Sequence, residues 1–269
     1  MRPEDRTPTG AEDAAREAKR AADAGAIPDV EARGSAEADE IDGARSRVAG
    51  SFLRVTEIFH SVQGESTWIG APCTFVRLTG CPLRCTWCDT EYSFHGGDRM
   101  SLEAILTRVR EIGTPLVEVT GGEPLIHRNA FHLVERLLDE GFTVLVETSG
   151  AIDVSALDGR AHKIMDLKCP GSGESEKNLW SNLEHLTGRD EVKFVVRDRA
   201  DYEWAREVIR ERGLDTAVRA GGLEALLISP VWGEIEPAEL AEWILADRLP
   251  VRFQLQLHKQ IWGADVTGV

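Results

Sequence analysis

Apolar positions fall into short runs separated by amphipathic stretches, and the two alternate from about residue 52 to residue 257. Leu53 to Val62 alternates with a period near two, as a strand with one covered face does, and Gln63-Gly64-Glu65 ends it. Cys73 to Leu78, Leu116 to Val119, Phe142 to Val146, Ile164 to Leu167, Glu191 to Val196 and Leu226 to Ile228 read as further strands, with Val251 to Leu257 as the last. Helical spacing is carried by Leu102, Ile105, Leu106 and Val109 behind a Ser101 N-cap, and by Phe131, Val134, Leu137 and Leu138 up to a stop at Gly141. Two more helices are predicted through Tyr202, Ala205, Val208 and Ile209, and from Ala238 to Leu245. This alternation predicts right-handed βαβ units around a parallel sheet covered on both faces. About six units are present where a closed barrel has eight, so the expected α/β fold is an incomplete barrel, open along one side. Polar and glycine-rich clusters recur where strands end, which is where such folds place their sites.

Residues 1 to about 50 break the pattern. They are rich in Ala, Glu, Asp and Arg and nearly free of large apolar side chains, which predicts a disordered tail ahead of a domain at 51–269. The formal net charge of −15 argues against a basic nucleic-acid footprint. No apolar run reaches membrane-spanning length, and the N-terminus lacks a secretory apolar core. Of five cysteines, Cys73 and Cys169 stand alone in apolar settings and read as buried thiols.

The other three, Cys81, Cys85 and Cys88, follow a strand at C-x3-C-x2-C spacing. A short loop can wrap three thiolates around one side of an iron–sulfur cluster; such clusters normally take four, so one iron stays open. The alternative is a structural zinc loop with His95 as fourth ligand. One strand later comes Thr120-Gly121-Gly122-Glu123-Pro124, where two glycines let backbone approach a ligand. Glu191 and Lys193 line the barrel or pair with each other.

The cysteine spacing, with Trp87 before the last cysteine, resembles the signature of the radical S-adenosylmethionine (SAM) enzymes, and the Gly-Gly-Glu turn resembles their clamp on the SAM amino group. Glu57 to Glu65, Phe75-Val76-Arg77-Leu78, Cys88-Asp89-Thr90 and Leu257-His258-Lys259 together resemble the 7-carboxy-7-deazaguanine synthase family, from about Glu57 to the C-terminus. The resemblance implies a radical SAM partial barrel holding one 4Fe-4S cluster on Cys81, Cys85 and Cys88, together with SAM and Mg2+. It implies a carbon–nitrogen lyase that converts 6-carboxy-5,6,7,8-tetrahydropterin to 7-carboxy-7-deazaguanine with loss of ammonia, in queuosine and 7-deazapurine biosynthesis. Residue by residue, it gives Thr90 to Mg2+ and Gln63, Gly64, Glu65, Arg77, Thr120 and His258 to the substrate, with His258 reaching in from the final strand. It gives Trp87, Asp89, Gly121, Gly122, Glu123, Glu147, Thr148, Asp166, Lys168 and Ser229 to SAM. A flavodoxin- or ferredoxin-like electron donor, a homodimer and a cytoplasmic location are implied, without nucleic acid or membrane. The competing reading is an activating enzyme for glycyl-radical proteins, which shares the cluster loop and the Gly-Gly-Glu turn. Ser66 stands where many relatives carry glycine, and Gln260 to Val269 extends beyond the shortest members.

Overall fold

The computed structural model describes residues 51–269. The tail expected at residues 1–50 lies outside the described residues. Nine strands form one open sheet: β1 (Phe52–Val62), β2 (Pro72–Leu78), β3 (Asp98–Ser101), β4 (Leu116–Gly121), β5 (Thr143–Thr148), β6 (His162–Asp166), β7 (Glu191–Val196), β8 (Ala225–Pro230) and β9 (Arg252–Phe253). Their order is β3-β1-β2-β4-β5-β6-β7-β8-β9, so the two edges never meet. From β2 to β9 every pairing is parallel, whereas β1 runs antiparallel to both β2 and β3.

That antiparallel edge departs from the all-parallel expectation. The segment between β1 and β2 carries no helix, and a parallel return needs a crossover of a dozen residues or more. β3 escaped detection because Asp98-Arg99-Met100-Ser101 offers one apolar residue in four. Six parallel crossovers match the expected number of units. Helices fill four: α1 (Leu102–Ile112), α2 (Arg128–Asp139), the pair α3 (Arg199–Glu211) and α4 (Leu214–Arg219), and α5 (Pro237–Asp247). The β5–β6 and β6–β7 connections have no α-helix. There the buried Asn182 takes the helix's place, accepting from Val154 N and donating to Gly150 O and Ile152 O.

Local signals place the helices. The Ser101 hydroxyl accepts from Ala104 N at 3.1 Å, and Gly113 closes α1 at φ +78°, a left-handed cap that favours glycine. The expected final strand is the clearest correction. Only Arg252–Phe253 pairs with β8, and Leu257–Trp262 forms a helix, α6. The chain leaves the sheet at Gln254, whose side chain bonds both backbone groups of Ser66.

The helices cover one face with two apolar clusters, one over β1, β2, β4 and β5, the other over β6 to β8. The opposite, inner face carries its own smaller cluster of Cys73, Phe75, Leu116, Leu145 and Ile164. Phe59 lies parallel to Phe75 there, with centroids 4.8 Å apart. Because side chains alternate along a strand, the next inward residue on each of these strands lies two positions further on. Those positions are Arg77, Glu118, Glu147 and Asp166, and β7 and β8 add Lys193 and Ser229. An apolar floor therefore gives way to a polar rim at the carboxyl ends of the strands.

Candidate active site at the carboxyl ends of the strands

The cysteine loop leaves β2 and is tied down from three sides. Thr86 N donates to Ser172 O and the Thr86 hydroxyl to Gly171 O, Arg84 N donates to Glu174 Oε1 at 2.7 Å, and Glu123 N donates to Gly80 O at 2.9 Å. Cys81, Cys85 and Cys88 are free thiols of intermediate exposure, while Cys73 and Cys169 are buried. Burial pushes the Cys85 thiol up to about 11, with Lys168 opposing, and it raises Cys81 as well. Cys88 acts electrostatically on both. Bound iron supplies the positive charge that deprotonates such thiols. The Arg197 guanidinium sits 5.9 Å from the Trp87 ring. His95, the fourth ligand required by the zinc alternative, is exposed.

The Gly-Gly-Glu turn presses on this loop. A Cβ at Gly121 would stand 2.5 Å from Leu78 O, and one at Gly122 would stand 2.6 Å from the Cys81 Cβ. Both glycines are thus demanded by close packing of turn on cysteine loop. Glu123 is fully enclosed and saturated: Leu125 N, the Thr148 hydroxyl, Ser149 N and the Ser149 hydroxyl all donate to it. Glu123 and Thr148 therefore lock the β4 turn to the end of β5.

Lys193 dominates the rim. Its Nζ donates to Glu65 Oε2 and Glu147 Oε1, both at 2.6 Å, with Asp166 Oδ2 at 3.9 Å. Lys193 does not pair with Glu191, whose carboxylate instead accepts from Thr67 N and the Thr67 hydroxyl. Burial alone would lower the lysine pKa, but Glu147, Glu65 and Asp166 outweigh it and hold the ammonium charged. Burial likewise raises Glu147, and Lys193 reverses the direction. Glu118, enclosed beside Glu147, is driven well up by burial and by that neighbouring charge. It contacts the Gln63 amide nitrogen, while Gln63 Oε1 accepts from Glu65 N.

Arg77 donates from Nε to Glu57 Oε1 at 2.8 Å and from Nη1 to Gly121 O at 3.3 Å. Tyr92 anchors the same Glu57 oxygen. The guanidinium lies against the Phe59 and Tyr92 rings, so its orientation is fixed before any ligand arrives. Lys168 pairs with Asp166 Oδ2 at 2.8 Å. Asp166 Oδ1 and the Ser229 hydroxyl, both buried at strand ends, have no partner among the described residues. Unsatisfied buried polar atoms are costly, and a polar ligand such as SAM at these strand ends satisfies them. The donor set therefore fits both groups: three thiols on one loop for a cluster, and orphaned polar atoms beside it for SAM. For Mg2+, Thr90 places its hydroxyl 3.7 Å from the Cys88 sulfur and next to Asp89, and that ion needs few protein ligands.

His258 reaches the site from α6, not from a strand. Its ring packs so closely on Gly64 that a Cβ there would stand 2.1 Å from Nδ1. Lys259 pairs with Asp89 at 2.7 Å and Gln256 donates to the same oxygen, tying α6 to the cluster loop. Ser66 has φ +63°, in the left-handed region that glycine adopts without cost. Its hydroxyl accepts from Trp68 N. Of the expected residues, Arg77, Thr120, Glu147, Asp166 and Ser229 stand at inward positions near the strand ends, Lys193 joins Glu65 to Glu147, Lys168 pairs with Asp166, and His258 packs on Gly64. Glu123 and Thr148 are buried. Sequence reasoning gave no role to Glu57, Tyr92, Glu118 or Lys259. Glu118 did carry a signal, a carboxylate inside an otherwise apolar strand.

The radical SAM superfamily model matches residues 75–224. The 7-carboxy-7-deazaguanine synthase of Koribacter versatilis is 44% identical over 231 residues, spanning 81% of this chain and 100% of the relative. That of Chlorobaculum tepidum is 46% identical over 220 residues, 81% of this chain and 97% of the relative. The crystal structure of QueE from Escherichia coli superposes with a TM-score of 0.62 at 24% identity, covering 78% of this chain and 97% of that one, and shares the fold. With three half-exposed cysteines ahead of the strand-end rim, these matches leave the zinc-loop and activating-enzyme alternatives without support. The chain belongs to the radical SAM superfamily and, within it, to the 7-carboxy-7-deazaguanine synthase family.

Proposed function

We propose that this protein converts 6-carboxy-5,6,7,8-tetrahydropterin to 7-carboxy-7-deazaguanine with release of ammonia, in the biosynthesis of queuosine and related 7-deazapurines. The observation that carries this reading is the rim itself: one guanidinium, Arg77, is fixed by Glu57 at the strand ends, where Lys193 gathers the carboxylates of Glu65 and Glu147. A carboxylated heterocycle with several N–H donors needs that arrangement. When bound, the cluster and SAM supply one-electron cleavage of the sulfonium and abstraction of a substrate hydrogen.

The protein's own residues bind and orient. Arg77, held by Glu57 on its Nε side, turns its remaining N–H groups toward the substrate carboxylate. Thr90 contributes a hydroxyl to Mg2+ beside that carboxylate. Glu65, with Gln63 and Thr120, accepts from ring N–H groups, and His258 closes the space from α6. Burial keeps His258 below the usual imidazole range, so it is neutral and offers one donor and one acceptor. Asp166, Lys168, Glu147 and Ser229 face SAM, and Gly121 and Gly122 present backbone to its amino group. Glu123 and Thr148 support that turn from behind. Trp87 and Asp89 complete the SAM side.

The enzyme operates as a homodimer in the cytoplasm, where a flavodoxin- or ferredoxin-like protein reduces the cluster. The acidic surface and small-molecule site argue against nucleic-acid or membrane partners, and no helix among the described residues is long and apolar enough to cross a membrane. Anaerobic reconstitution with iron and sulfide, followed by reduction with SAM, Mg2+ and the pterin, tests the reading by mass spectrometry. The expected result is the deazaguanine in step with SAM consumption. SAM cleavage without deazaguanine overturns the substrate assignment.

A further inference from the structure

Lys193 is the most enclosed charge on the rim, and its surroundings are graded. Its side chain is 5% exposed, that of Glu65 14% and that of Glu147 28%. The ammonium therefore lies beneath the two carboxylates, and they, not the lysine, present free faces to the ligand space. The three groups come from separate elements: the loop after β1, the end of β5 and the middle of β7. Two of the three Nζ protons are committed at 2.6 Å, whereas Asp166 at 3.9 Å lies beyond hydrogen-bond reach. Lys193 thus forms the one ion pair, among the described residues, that joins the Gly64-Glu65-Ser66 loop to the sheet. That loop needs joining, since it combines a glycine pressed against His258 with a serine at positive φ.

We propose that Lys193 is a positioning residue for the pterin. It acts through Glu65, which it holds aimed at the pterin, and braces that residue against Glu147 on the SAM side; it touches neither substrate nor SAM itself. The inference rests on the pterin reading of the site. Other charged groups face this cluster. Glu118 lies beside Glu147 from β4, Arg77 acts from β2, Asp166 and Lys168 from β6 and its following turn, and Asp89 and His258 from the loop and α6. Among them only Lys193 bonds both Glu65 and Glu147. An ionised carboxylate is an acceptor at both oxygens, the form that ring N–H groups require; a protonated one offers a donor instead. Without the lysine, burial returns Glu147 toward the neutral acid, and Glu65 loses its ion-pair partner.

The test compares wild type, Lys193→Met and Lys193→Arg as reconstituted holoenzymes. Deazaguanine, 5′-deoxyadenosine and pterin affinity, read by the substrate's fluorescence under anaerobic conditions, are measured from pH 6 to pH 9. In Lys193→Met, pterin affinity and deazaguanine formed per 5′-deoxyadenosine should each fall about tenfold to a hundredfold, as when an orienting partner is removed from a ligand-binding group. Both should recover in part at alkaline pH, where the unpaired Glu147 ionises again, and Lys193→Arg should retain most of each. Loss of cluster and activity together at every pH, without alkaline recovery, would assign Lys193 to folding and overturn the proposal. Undiminished affinity and coupling would overturn it equally. If Lys193→Met does not fold, Glu65→Gln and Glu147→Gln, alone and each combined with Lys193→Gln, decide. Non-additive losses of affinity support action through the carboxylates, and additive losses oppose it. A wild type that makes no deazaguanine removes the pterin reading instead, so the two failures are distinguishable.

Discussion

The floor and the rim of the inner face are built on the same strands, one inward step apart, and they solve opposite problems. On the floor, Cys73, Phe75, Leu116, Leu145 and Ile164 fill space and need no partner. On the rim, Arg77, Glu147, Asp166 and Lys193 carry charge out of bulk water, and each is tied to an oppositely charged partner. The cysteines show the contrast in one residue type. Cys73 on the floor is fully buried and its thiol is pushed well up, the setting of an inert thiol, whereas the loop cysteines are half open beside Lys168. The floor is where this protein gains stability, and the rim is where it gives some up in order to bind.

Breaking the cysteine contrast has the largest expected effect. Cys81→Ala, Cys85→Ala or Cys88→Ala should each abolish cluster absorbance and all activity after reconstitution, because three thiolates are the minimum the loop offers. Cys73→Ala and Cys169→Ala should keep the cluster. A full cluster in any of the three loop variants would contradict the assignment. On the rim, Arg77→Lys keeps a charge but loses the planar fork and its Nε bond to Glu57. Truncating one partner of a desolvated charge pair costs about 2–5 kcal/mol, so pterin turnover should fall roughly a hundredfold. Slow 5′-deoxyadenosine formation without substrate should persist. Equal loss of both products would place Arg77 in the service of the cluster.

The floor should respond the other way. Leu145→Ala removes a fully buried side chain and should lower unfolding free energy by about 2–5 kcal/mol, measured by denaturant midpoint. Product formed per 5′-deoxyadenosine should remain normal wherever the variant is folded; a selective loss of coupling would erase the distinction between floor and rim. The smallest effect is expected at the outer edge of the rim. Burial raises the Asp89 carboxyl, but Lys259, with Gln256 and Lys193, reverses this and holds it at about 2. The folded pKa is depressed, so this contribution is present above the ordinary aspartate range and is lost as pH falls toward about 2. The Asp89 side chain is 43% exposed, and such screened pairs contribute about 1 kcal/mol or less. Lys259→Met should therefore cost no more than that at pH 7, with the difference fading on acidification. A deficit constant with pH would mean that Lys259 contributes by packing alone.

Much of this was legible in the chain itself. Periodicity located the four longer helices and most strands, but not α4 or α6. An amphipathic stripe such as Leu102, Ile105, Leu106 and Val109 has one way to be buried. The cysteine loop and the Gly-Gly-Glu turn were legible because their chemistry lies within a few consecutive residues. Pairing direction was not: β1 reads the same whether its neighbour runs parallel or antiparallel, and β3 is too short and polar to announce itself. The last segment was misread because Val251 to Leu257 has strand-like composition, while Gln254 finds its partners on Ser66, 188 positions away.

The sequence alone determined which residue types stand at strand ends, because alternation and turn chemistry are local. It also determined that three thiols share one loop. Only the tertiary structure decided which charges meet. Lys193 bonds Glu65 across 128 positions and Glu147 across 46, and not its near neighbour Glu191. Arg77 finds Glu57 on the adjacent strand, and burial together with Glu147 drives Glu118 well above the usual carboxylate range. Such choices depend on distance and desolvation, which are properties of the assembled sheet and are written in no single stretch of the chain.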